Sequence, residues 1–108
     1  MTLLELYKKI DSAGVPIWHY EAAQQEYPYA VYQEFAITYD TASGRQYREK
    51  TRVSITHFSK EEFDTTLEVL KKVLLENGLI PTIDVTYDKD GGIIINHFEV
   101  VIARNMKG

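Results

Sequence analysis

A chain of 108 residues, 44% hydrophobic and 26% charged, has the size and composition of one globular domain, long enough to bury about two thirds of its unfolded surface without staples. The absence of cysteine excludes disulfides and thiolate metal sites, and a net charge of −4 argues against a dedicated nucleic-acid binder. The opening MTLLELYKKIDS lacks the charged start and apolar run of a signal peptide, and no stretch approaches a membrane span, so neither is expected.

The first element reads as a helix. Thr2 and Glu5 form a capping box, Leu3, Leu6, Tyr7 and Ile10 recur at helical spacing, and Gly14 and Pro16 end the run. PIWHYE (16–21) is short, aromatic and β-branched, and reads as a strand. After a polar bridge, residues 27–40 alternate with period two and predict a half-buried strand. Its pattern puts Tyr27, Tyr29, Val31, Phe35 and Ile37 on one face and Ala30, Tyr32, Glu34 and Thr38 on the other. Of these, Tyr27, Tyr29 and Val31 are expected to face the core. Pro28 stands near the strand's start, where a missing N–H is tolerated.

TASGRQ (41–46) has loop composition, and residues 47–58 predict a second long strand whose first half is polar on both faces. The pair therefore reads as a long hairpin with a tip at about residues 39–50 that projects beyond the core. Ser59 and Glu62 suggest a second capping box, opening a helix with Phe63, Leu67, Leu70, Val73 and Leu74 on its apolar side and Asp64 on its solvated one. Asn77-Gly78 closes that helix. The remainder predicts a terminal hairpin, 79–88 and 93–103, around a KDGG turn, followed by a polar tail over 104–108. The order α-β-β-β-α-β-β is that of an α+β domain, an antiparallel sheet with two helices on one face.

Chemistry-bearing patterns are sparse. His19, His57 and His97 all fall in predicted strands without a carboxylate or second histidine at ligand spacing, so no metal site is expected. Asp88, Asp90 and Gly91 begin like a calcium loop, but the following GIIIN supplies no ligands, so the stretch reads as a turn. Phosphate-binding glycine loops and nucleophile elbows are absent. No catalytic residue, cofactor or enzyme activity is expected. Arg45, Arg48, Lys50 and Arg52 form a basic stripe on the hairpin of an acidic protein, either a solvated arm or a surface complementary to an acidic one.

The stretch GVPIWHYEAAQQEYPYAVYQEF resembles the signature region of small tail-completion or tail-terminator proteins of long-tailed phages and prophages. The resemblance rests on Val15, Pro16, Ile17 and Tyr20, then on Tyr27, Pro28, Tyr29, Ala30, Val31 and Tyr32, and extends less specifically over residues 3–103. The loop TYDTASGRQY and the strand end ITHFSKEE depart from the family pattern. The resemblance implies a virion structural protein that forms a hexameric ring at the head-proximal end of the tail tube. Its partners would be further copies of itself, the tail tube protein and the head–tail connector. DNA would pass through the lumen without sequence recognition, and the protein would reside in the host cytoplasm during assembly and then in the virion tail. Tyr39, Arg45, Tyr47, Arg48, Lys50 and Arg52 are the expected subunit contacts, with Tyr32 a further candidate. The competing expectation is a small protein-binding module or phage-encoded inhibitor, acting as monomer or dimer through a sheet edge.

Overall fold

The computed structural model, which describes residues 1–44 and 46–107, has two helices on one face of a five-stranded sheet. In chain order the elements are α1 (Leu3–Ser12), β1 (Ile17–His19), β2 (Tyr29–Ser43), β3 (Gln46–Ser59), α2 (Thr65–Glu76), β4 (Thr82–Asp88) and β5 (Ile93–Lys107). The spatial order is β1-β2-β3-β5-β4. All pairings are antiparallel except β1 with β2, which is parallel. The expected α+β order holds, and the one departure from an antiparallel sheet is this short edge strand. It is parallel because Gly14 and Pro16 turn the chain directly from α1 into β1, and the bridge at 22–28 then returns it to β2's start.

Helix α1 begins where its capping box predicts, with Thr2 Oγ1 accepting from the Glu5 N–H at 3.2 Å. Helix α2 does not. Ser59 is the last residue of β3, its hydroxyl donating to the Glu61 carbonyl, and the cap is Asp64. Asp64 Oδ1 accepts from the Thr66 and Leu67 N–H groups at 2.8 and 3.3 Å, so it is buried rather than part of the solvated face. Phe63, expected inside the helix, precedes it at φ 57° and is 92% exposed. An S-x-x-E and an aspartate compete as caps here, and β3's pairing with β5 through Ser59 leaves only the aspartate free to cap.

The core lies between the helices and the sheet. Leu6 and Ile10 of α1 and Leu70, Val73 and Leu74 of α2 pack on Ala30 and Tyr32 of β2, Val53 and Ile55 of β3, and Phe98, Val100 and Ile102 of β5. The inward face of β2 is thus the opposite of the expected one. Val31 is only half-buried, and Tyr29 is buried on the other side of the sheet, stacked on Phe58 at 4.9 Å with Tyr27 beside it. Small Ala30 leaves room for the helices, which a tyrosine there would fill.

Beyond the helices, β2, β3 and β5 continue as a three-stranded arm. The tail expected at 104–108 is strand through Lys107, because Gln46–Glu49 of β3 offers it pairing partners. The residues expected to form a loop are likewise β2 as far as Ser43. The molecule is accordingly elongated, 53 × 25 × 24 Å.

Candidate assembly surfaces

Between Glu34 and Ala36 the arm changes face. Glu34 pairs with Val53 and Ala36 with Arg52, leaving Phe35 as a bulge. Before it, even-numbered β2 residues lie on the helix side; after it, Ile37 and Tyr39 do, opposite Thr51 and Glu49. Period two read straight through residue 35 cannot show that reversal.

Of the expected contact residues, Tyr39, Tyr47, Arg48, Lys50 and Arg52 are all on the arm, and Arg45 lies outside the described residues. The two sides of the arm differ in chemistry. On the helix side, Glu49 Oε1 accepts from Arg104 Nε at 3.0 Å and is hydrogen-bonded by the Tyr39 hydroxyl, which raises the Tyr39 pKa. On the open side stand Arg48, Lys50 and Arg52, even-numbered residues of β3 on the face opposite its core residues Val53 and Ile55. Lys50 Nζ lies 2.8 Å from Asp40 Oδ2 and holds that carboxyl below its ordinary range. Arg48 and Arg52 are exposed and make no ion pair among the described residues.

The signature stretch forms a second cluster. Tyr20, at φ 66°, turns out of β1 with its N–H donating to the Tyr32 carbonyl at 2.9 Å. Its ring stacks on His19, which stacks on Tyr32, which meets Tyr7 of α1. The Tyr20 hydroxyl donates to Glu34, and His19 Nε2 lies 3.1 Å from the same carboxylate, so Glu34 is held below its ordinary pKa. Tyr32 is buried in this stack, which removes it as a neighbour contact. Pro16 and Pro28 line a shallow groove with Trp18 and Tyr29 at the β1 edge. These residues fix how β1 and α1 meet β2.

The structure does not bring the three histidines together. His19 is in the stack, His97 lies beside Thr56 on the open face, and His57 is fully buried beneath α2. Among the described residues no group of three or more His, Asp or Glu side chains is placed to hold a metal ion. Among the described residues no helix is long and apolar enough to cross a membrane.

His57 has a structural consequence. The Thr66 hydroxyl donates its hydrogen bond to Asp64 Oδ1, so His57 Nε2–H donates to Thr66 Oγ1 at 2.8 Å, and Nδ1 is buried without a protein partner. Burial lowers the His57 pKa, with Asp64 opposing the shift. The unfolded chain, titrating near about 6.5, therefore binds this proton more readily than the folded one. Stability is full above that pH and falls as pH drops from there toward the folded value, at up to about 1.4 kcal/mol per pH unit. Urea midpoints measured from pH about 7.5 to 5 should decline, and His57→Gln should flatten that decline although His19 and His97 remain.

The terminal hairpin expected over 79–88 and 93–103 is formed by β4 and β5, but the sequence did not show that the edge strand β4 would be exposed along its whole length. Ile83, Val85 and Tyr87 alternate on its helix side and Asp84 and Asp88 on its open side. Alternation gives the strand two faces but does not tell that both lie beyond the helices. The helices stop short of β4, so neither face is covered.

No family model and no curated protein matches this chain.

Proposed function

We propose that this protein is a virion structural subunit of the tail-terminator kind, which forms a ring at the head-proximal end of a phage or prophage tail tube and joins it to the head connector. The observation that supports the reading is the arm. Three strands extend past the helix layer, carry exposed tyrosines on the helix side and exposed basic residues on the open side, and have no core of their own to build. Such an arm is stabilised by lying against a neighbour. Tyr39, Tyr47, Arg48, Lys50 and Arg52 would contact the next subunit, and a head-to-tail contact of this sort closes into a ring when its rotation divides the circle. Passage of DNA through a lumen requires no base readout, which suits a net charge of −4.

Light scattering over a wide concentration range, with negative-stain images of the same sample, tests this. Closed rings near six subunits are the expected result, formed alone or on added purified tail tubes. A chain that stays monomeric and neither binds nor caps tubes would overturn the proposal in favour of a monomeric binding module.

A further inference from the structure

The sheet has two open edges, and their chemistry matches. One is β4. The other is β2 beyond Tyr32, because β1 pairs only with Ala30–Tyr32 and no described strand covers the rest. On the helix side, β4 shows Val85 at 66% and Tyr87 at 61% exposure, while β2 shows Ile37 at 51% and Tyr39 at 60%. On the open side, β4 carries Asp84 and Asp88, neither in an ion pair among the described residues. One strand in from the β2 edge stand Arg48 and Arg52, opposite Asp40 and Ala36. Acids and bases are both spaced four residues apart.

We propose that β4 of one copy adds antiparallel to the outer edge of β2 in the next copy, residues 84 and 88 lying beside 40 and 36. The strand directions permit this without inverting either copy, since β2 and β4 run oppositely within one sheet. In that register Asp88 reaches Arg52 across the small Ala36, and Asp84 reaches Arg48 past Asp40, whose charge Lys50 already neutralises at 2.8 Å. The same register sets Val85 beside Tyr39 and Tyr87 beside Ile37, so apolar meets apolar on one face while acid meets base on the other. The occupant is a second copy of this chain, because each edge supplies what the other lacks. The inference rests on the proposed function in one respect, that copies associate.

A charge exchange tests it, read by light scattering in solution or by cap formation on purified tail tubes. Asp84→Lys with Asp88→Lys should weaken association about tenfold or more, and so should Arg48→Glu with Arg52→Glu. All four residues are exposed, so both variants should fold. An equimolar mixture of the two should regain wild-type association, because each edge then meets the opposite charge on its partner. A mixture as weak as its components overturns the inference, as do variants that associate normally. The chain has no cysteine, so Tyr39→Cys with Val85→Cys reports the register directly. Those positions are separated by two intervening strands in one copy, too far to bridge. Disulfide-linked multimers are expected. Rings that form without cross-linking or charge sensitivity overturn the edge pairing and leave the ring reading standing. Cross-linked open filaments support the edge pairing and count against a tail terminator. A chain monomeric in both settings overturns both.

Discussion

Phe98→Ala is expected to lower the unfolding free energy by about 3–5 kcal/mol, a large part of what a domain of this size possesses. Phe98 is fully buried at the centre of β5, opposite Ile55 on one side and Ile83 on the other. It is where both long strand pairings and the helix layer meet, so its loss opens a cavity that no single neighbour can fill. Ile83 rests against the same site, and loosening there would also loosen the exposed edge strand. Urea denaturation of Phe98→Ala and of the milder Phe98→Leu provides the check. A cost below about 1 kcal/mol for the alanine variant would mean the core is not organised around this side chain.

Asp64→Ala is expected to cost about 2–3 kcal/mol, more than an ordinary helix cap. Its Oδ1 accepts from two backbone N–H groups at the start of α2 and from the Thr66 hydroxyl. Removing it leaves the first turn uncapped and deprives Thr66 of the acceptor that orients it toward His57. Asp64→Asn keeps a cap oxygen but loses the charge, and should cost less. Circular dichroism during denaturant unfolding would separate the two, and His57→Gln in the same background should show non-additive costs because the three side chains form one chain of hydrogen bonds. Equal costs for Asp64→Ala and Asp64→Asn would indicate that charge, not capping, is what Asp64 supplies.

Several features were legible in the sequence because their causes are local. The Thr2 cap and the apolar spacing of Leu6 and Ile10 define α1 within a few residues of chain. Alternation in 27–40 and 47–58 marks two long strands, since the pleat repeats every two residues regardless of what lies above it. The Asn77-Gly78 stop and the Asp-Gly turn before β5 follow from backbone preferences that need no tertiary partner. The basic stripe was equally plain, and four of its members lie within eight residues of sequence, three of them on described positions of the arm.

What the tertiary structure alone decided are the matters of sidedness. Alternation shows that β2 has two faces but not which one receives the helices; Ala30 and Tyr32 do, because Ala30 leaves space and Tyr32 completes the stack with Tyr7 and His19. The bulge at Phe35 reverses that sidedness for the arm, and it arises from register against β3, a strand distant in sequence. The rival caps Ser59 and Asp64 were settled by how far β3 remains paired, and the strand character of 104–107 by the presence of β3 beside it. The exposure of β4 depends on where two helices end in space. Residue order fixes periodicity and turns through short-range sterics and hydrogen bonding. Which face is covered, and which edge is left open for another chain, depends on contacts between segments far apart in sequence.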